Sequence, residues 1–207
     1  MNFHLNSIFT SLQGEGRNVG RPATFVRFSS CNLACVWCDT HRTQHLDLSL
    51  EELVAKVRHR EKNFVILTGG EPSIQPGISD LVRALKNEGF TVAMETNGLE
   101  APPEPELFDY IACSPKPDYV TRYRDDHMLK RANEVRIVAQ DELIASFCRN
   151  MRDRIAADDY YISPLEKDGK IHYKRALNLL SKVNKLMPKA NPPWALSIQM
   201  HKVIGIR

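Results

Sequence analysis

Cys31-Asn-Leu-Ala-Cys35-Val-Trp-Cys38-Asp39-Thr40 decides how this chain is read, because three of its five cysteines lie in that one stretch. A strand-like run from Ala23 to Ser29 leads in, and no helical periodicity starts until about Ser49, so the cysteines fall on a loop. A loop can curl until three thiolates face one centre, which a straight strand or helix cannot do at this spacing. Three thiolates suit a soft metal, and a cubane iron–sulfur cluster takes four ligands. Three from protein leave one iron open to a small molecule. The same spacing also allows a zinc loop completed by His41 or His45. Cys113 and Cys148 lie in apolar surroundings and read as small core residues.

Upstream of the loop, Phe3 to Phe9 reads as a strand ending in Thr10-Ser-Leu-Gln13-Gly14-Glu15-Gly16, where two glycines flanking a carboxylate permit a tight turn. Arg27 sits inside the next strand pattern, so it faces either solvent or an anionic group that its planar fork can grip. Downstream, Ser49-Leu-Glu-Glu52 is a capping box, and Leu50, Leu53, Val54 and Val57 give the helix it opens one apolar face.

Asn63 to Leu67 has the continuous apolar character of a buried parallel strand and stops at Thr68-Gly69-Gly70-Glu71-Pro72. A helix face of Ile78, Leu81, Val82 and Leu85 follows, closed by Gly89. The unit then recurs. Strands are predicted at Thr91 to Met94, Tyr110 to Cys113, Glu134 to Val138, Tyr160 to Ile162 and Ala195 to Ile198. Helices are predicted with Leu143, Ile144, Phe147, Met151 and Ile155 on an inner face, and over Tyr173 to Leu186.

Strands alternating with helices predict an α/β fold with a parallel sheet and right-handed crossovers. About six core strands in 207 residues are too few for a full eightfold barrel of about 250 residues, so a partial, open TIM-like barrel with helices outside is expected. One domain over residues 1–207 is expected, with 31–40 as a cluster loop and 195–207 as a strand and tail closing a pocket. The strand ends carry Gly, Ser, Asn, Glu, Lys, Gln and His while the strand bodies read as apolar, which puts the chemistry at the carboxyl rim.

Composition narrows the partners. Hydrophobic residues make up 43% and charged residues 26%, ordinary for a globular chain with a core. A net charge of +3 without a clustered basic stripe gives no argument for nucleic acid. No apolar run reaches membrane-spanning length, and the first residues lack a signal-peptide pattern. Clustered free cysteines without an export signal predict a cytoplasmic protein.

The cysteine loop, with Phe-Val-Arg-Phe28 before it and Thr-Gly-Gly-Glu-Pro72 after it, resembles that of the radical S-adenosylmethionine (SAM) enzymes. Within that group the chain is most similar to the 7-carboxy-7-deazaguanine synthases, through Leu12-Gln-Gly-Glu-Gly16, Gly20-Arg-Pro22, Cys-Asp-Thr40, Glu-Thr-Asn-Gly98, Ser-Pro-Lys116 and Gln199-Met-His-Lys202. The resemblance implies rearrangement of 6-carboxy-5,6,7,8-tetrahydropterin to 7-carboxy-7-deazaguanine with loss of ammonia, a step towards queuosine. It implies a 4Fe–4S cluster on Cys31, Cys35 and Cys38, and Mg²⁺ on Thr40.

SAM would meet Gly70, Ser114, Pro115 and Lys116, then Ser163, Pro164, Leu165 and Glu166, with Glu95 and Asn97 joining them. Some relatives have Gln where this chain has Ser163. The pterin would lie against Leu12, Gln13, Gly14 and Glu15, with Arg27 on its carboxylate, Thr68 nearby, and His201 and the Arg207 carboxylate closing the pocket. A flavodoxin- or ferredoxin-like reductant and a homodimer are also implied. The rivals are a glycyl-radical activase, sharing the cysteine loop and Gly-Gly-Glu-Pro, and a non-catalytic iron–sulfur or zinc module.

Overall fold

The first strand, β1 (Asn2–Leu12), buries Phe3, Leu5, Ser7 and Phe9 at alternate positions, with Asn6 also buried where the strand's pairing register shifts between Leu5 and Ser7. The computed structural model describes residues 2–36, 38, 46–60, 62–141 and 143–206. The chain divides into two compact units.

The first unit comprises Met1–Gln13, Arg21–Thr96 and Glu100–Ile111. Its strands are β1, β2 (Pro22–Phe28), β3 (Leu46–Ser49), β4 (Phe64–Gly69) and β5 (Thr91–Thr96). They lie in the order β3-β1-β2-β4-β5, with β1 antiparallel to both β2 and β3 and the other pairs parallel. Helix α1 (Leu50–Arg58) precedes β4. Ser49 caps it, accepting from the Glu52 amide while Glu52 accepts from the Ser49 amide, the box expected from the sequence.

Helix α2 (Ile78–Asn87) precedes β5 and buries Ile78, Leu81, Val82 and Leu85. Gly89, one residue beyond its cap, takes φ +84°. Phe9, Ala23, Phe25, Phe64, Ile66 and Ala93 form a core in which the Phe9 and Phe25 rings stack 5.0 Å apart. The Arg21 guanidinium lies 3.7 Å from the Phe64 ring centre.

The second unit comprises Gly14–Gly20, Asn97–Leu99 and Ala112–Arg207. It takes the last two residues of β6 (Tyr110–Cys113), then β7 (Arg131–Ala139), α3 (Ile144–Arg154) and β8 (Ala156–Pro164). A small hairpin follows, β9 (Glu166–Lys167) and β10 (Lys170–Ile171), turning on Asp168 and Gly169, both at positive φ. The unit ends with α4 (Tyr173–Leu186), β11 (Trp194–Leu196) and the single-turn α5 (Met200–Val203). Strands β6, β7, β8 and β11 are neighbours in that order and parallel. The Asn184 amide brackets Trp194 on both its N–H and C=O, tying α4 to β11.

The α/β class with parallel strands is as expected, and β6 and α4 have the expected bounds. The parallel set is β2, β4 and β5 in the first unit and four strands in the second, one more than the six core strands counted, because β2 joins them. Three readings are corrected. The strand bodies are not uniformly apolar, since Glu134 and Arg136 lie within β7 at 2% and 4% exposure. Leu143 precedes α3 and is exposed, so it is not on that helix's inner face. Strand β3 pairs with β1 where no strand is predicted, four residues being too few to show a period. Among the described residues, no helix is long and apolar enough to cross a membrane.

Candidate functional site

In the first unit the cysteine loop leaves the end of β2 and is fastened where it begins. The Ser30 carbonyl, one residue before Cys31, accepts from the Glu71 amide at 2.8 Å and from the Gln75 side-chain amide at 3.2 Å. Glu71 is almost wholly buried. Its carboxylate accepts from the Thr96 hydroxyl at 2.6 Å and the Ser73 amide at 3.1 Å. Gly70, at φ +33°, is pressed so close to Ser30 that an added Cβ would fall well inside 3.0 Å of its carbonyl oxygen. The Thr-Gly-Gly-Glu-Pro segment therefore acts as a clamp on the loop, and only glycine fits at its tightest point.

Among the described residues none of the three loop cysteines is in a disulfide; Cys31 and Cys35 are partly buried and Cys38 is exposed. The Leu33 amide donates to Cys31 Sγ at 3.4 Å, the kind of contact that tunes a thiolate bound to iron. Among the described residues, no three His, Cys, Asp or Glu side chains are gathered around one point. The fit to an iron–sulfur cluster is thus one of donor chemistry: three reduced thiols on one clamped loop. His41, His45 and Thr40 lie outside the described residues.

The ends of β1, β4 and β5 meet through Glu95. Its two carboxylate oxygens accept from the Gln13 side-chain amide at 3.0 Å and the Thr68 hydroxyl at 2.7 Å. Glu95 is predicted on the cofactor side, yet its partners here are two residues predicted for substrate. Arg27 is half-buried opposite Thr68 in the β2–β4 register. Its aliphatic stem packs where a Cβ on Gly69 would be, and its guanidinium lies 5.8 Å from the Phe9 ring centre. Leu12, half-buried, ends β1 beside Gln13.

The second unit holds the turn that follows. Gly14 accepts from the Met200 amide at 2.8 Å, and the His201 ring occupies the place a Cβ on Gly14 would need. The Gly16 amide donates to Ser197 Oγ at 2.9 Å, and the Glu134 carboxylate fills the corresponding space at Gly16. Glu134 also accepts from the Arg17 amide at 2.8 Å. Arg136 Nη1 donates to Glu15 at 2.9 Å, while its Nε lies 3.1 Å from Glu134. Glu134 and Arg136 were missed as site residues. Their signal is two charges at alternate positions in the otherwise apolar run from Glu134 to Val138.

Eight of the ten predicted SAM contacts are also in this unit. The buried Tyr123 hydroxyl donates to the Asn97 carbonyl at 2.9 Å and accepts from the Lys116 amide at 2.8 Å, and Lys116 Nζ donates to Ser114 Oγ at 2.8 Å. Pro115 is buried between them in sequence. Tyr123 carries no motif that would reveal it. At the end of β8, Ser163 and Pro164 are buried, and among the described residues Ser163 Oγ has no hydrogen-bond partner. Leu165 is half-buried, and Glu166 is exposed and ion-paired with Lys202 at 2.5 Å. Arg207 lies outside the described residues.

Residues 25–121 match the Radical SAM superfamily. Over nearly its whole length the chain is 45% identical to the 7-carboxy-7-deazaguanine synthase of Haemophilus influenzae and 42% identical to that of Neisseria meningitidis, covering 99% of this chain and 94% of each relative. The chain belongs to the 7-carboxy-7-deazaguanine synthase family. The crystal structure of QueE from Escherichia coli matches 97% of this chain and 95% of its own, with a TM-score of 0.70 at 22% identity. That likeness shows the fold, the α/β radical SAM fold expected from the sequence. In this synthase family member, the Cys31 loop and its clamp both fall inside the superfamily match.

Proposed function

We propose that this chain is a radical SAM enzyme that converts 6-carboxy-5,6,7,8-tetrahydropterin to 7-carboxy-7-deazaguanine with loss of ammonia, in 7-deazapurine biosynthesis. Its family implies a 4Fe–4S cluster and SAM. The observation that carries the reading is the Ser30 carbonyl, which ties the start of the three-thiol loop to Gly70 and Glu71. When bound, the cluster and SAM supply a 5′-deoxyadenosyl radical able to take hydrogen from C6 of the pterin, chemistry no side-chain base can perform.

The chain's own residues bind and orient. Cys31, Cys35 and Cys38 are the cluster ligands, and Gly70 offers backbone to the methionyl amine. Asn97, Ser114, Pro115 and Lys116, braced by Tyr123, serve SAM together with Ser163, Pro164, Leu165 and Glu166. Gln13, Thr68 and Arg27 in the first unit, and Glu15 and His201 in the second, serve the pterin with Leu12, Gly14 and Arg207. The hydrogen bonds to Gln13 and Thr68 favour moving Glu95 to the substrate set. Because Thr68 gives its hydroxyl proton to Glu95, towards a ligand it can only accept, which suits the donor edge of an aminopyrimidine.

Mg²⁺ on Thr40, a flavodoxin- or ferredoxin-like reductant, a homodimer, one working domain and a cytoplasmic setting complete the proposal. The clustered cysteines without a disulfide among the described residues, and the sheet edges, which want cover, support its last parts.

The test is anaerobic. The cluster is reconstituted, SAM, Mg²⁺, a strong reductant and 6-carboxytetrahydropterin are added, and 7-carboxy-7-deazaguanine is followed by mass spectrometry. Product that disappears in Cys35→Ala is the expected result. SAM cleavage without that product would move the reading to a glycyl-radical activase, and no cluster at all would leave a zinc module. Sedimentation at micromolar concentration checks the dimer, and a purely monomeric boundary rejects it.

A further inference from the structure

Two charged residues of β7 grip the Gly14-Glu15-Gly16 turn from one face of the strand. Strand alternation puts Glu134 and Arg136 on the same side. Glu134, whose side chain is 2% exposed, packs against Gly16 and accepts the Arg17 amide, which fixes the backbone of the turn. Arg136, at 5% exposure, uses two edges of its guanidinium, Nε against Glu134 and Nη1 against Glu15. The backbone of the turn and the side chain of Glu15 are thus held by neighbours two residues apart. A fixed planar fork can make both contacts at once, which an ammonium on a flexible stem cannot do in one geometry.

We propose that Arg136 is a positioning residue for substrate recognition. It pins the Glu15 carboxylate in one orientation for the donor edge of the pterin. One cation between two carboxylates leaves this group with one net negative charge, which favours a ligand edge rich in N–H donors and disfavours the ligand's own carboxylate. The turn therefore selects which end of the substrate it meets. This inference rests on the proposed contact between Glu15 and the substrate.

The test is a double-mutant cycle in the reconstituted enzyme with SAM and Mg²⁺, measuring KM for 6-carboxytetrahydropterin, KM for SAM, kcat and thermal midpoint. Arg136→Lys is expected to raise the pterin KM about tenfold or more while moving kcat and the SAM KM by about twofold or less. A purely structural role would instead lower the thermal midpoint and shift all three kinetic values together. In a Glu15→Gln background the Arg136→Lys effect on the pterin KM is expected to vanish. An equal effect in both backgrounds overturns the inference and leaves the Glu15 contact intact. A Glu15→Gln enzyme with unchanged pterin KM overturns the Glu15 contact itself, and the positioning role with it. Should Arg136→Lys fail to fold, Glu134→Gln keeps the shape of the grip but loosens Arg136. A rise in pterin KM that depends on Glu15 supports the inference, and no rise rejects it.

Discussion

Replacing Gly70 with alanine tests the link between the Gly-Gly-Glu-Pro segment and the cysteine loop. An alanine at φ +33° costs about 1–2 kcal/mol for the left-handed backbone alone. Its Cβ would also collide with the Ser30 carbonyl oxygen, which must swing away. That movement breaks the hydrogen bonds from the Glu71 amide and the Gln75 side chain, each with a net contribution of about 0.5–1.5 kcal/mol. The expected loss is therefore about 2–5 kcal/mol.

Gly89→Ala is the control. Gly89 also has positive φ, +84°, but nothing lies within 4 Å of its added Cβ, so it loses only the backbone share. Urea unfolding of both variants without cofactors gives the difference, expected at about 1–3 kcal/mol. Iron and sulfide content after anaerobic reconstitution then reports the loop directly, and Gly70→Ala should fall well below Gly89→Ala. If the two variants were equally stable within about 0.5 kcal/mol and bound equal iron, the clamp would have no energetic content.

Tyr123→Phe removes the hydroxyl that links the Asn97 carbonyl to the Lys116 amide and should cost about 1–3 kcal/mol, with weaker SAM binding. Thermal unfolding and equilibrium SAM titration check it, and an unchanged midpoint counts against the bridge. Burial pushes the Cys148 thiol pKa up and also hides Cys113, so a disulfide reagent should find three fast thiols in the cluster-free native protein and the other two only on unfolding. A fast count lowered by Cys148→Ala would contradict this. Arg27→Ala should spare SAM cleavage while weakening pterin binding about tenfold or more, and unchanged affinity removes Arg27 from the site.

Much of the architecture is legible in the sequence because apolar periodicity and turn chemistry act locally. Helix α4 and strand β6 have their predicted bounds, and the Ser49 box starts α1 as its residues dictate. Strand ends are less legible. Strand β5 is predicted to stop at Met94 but runs through Glu95 and Thr96, two polar residues beyond the apolar run that marks it. Leu143 has the right spacing for the face of α3, but the helix begins one residue later and leaves it exposed.

Within the candidate site, motif residues such as Gly70 and Gln13 are visible because their chemistry is unusual for their place. Their supports are not. Tyr123, Ser197 and Glu134 work through contacts far away in sequence, and each has an ordinary reading as a strand or loop residue. Glu95 shows the same limit. Its motif marks it as polar at a strand end, but only the fold shows that Gln13 and Thr68 share its two oxygens.

The clamp at Ser30 also bears on how this loop can be redesigned. Its first residues are fixed from below through Glu71 and Gln75, whereas Val36, between the second and third cysteines, is almost fully exposed. Changes before Cys31 must therefore be made together with changes in the Gly-Gly-Glu-Pro segment, as one inherited block. Val36 meets solvent, so substitutions there leave the anchorage undisturbed. The element thus has a keyed base and, at Val36, an open position where a new surface for an electron donor can be built while the base stays unchanged.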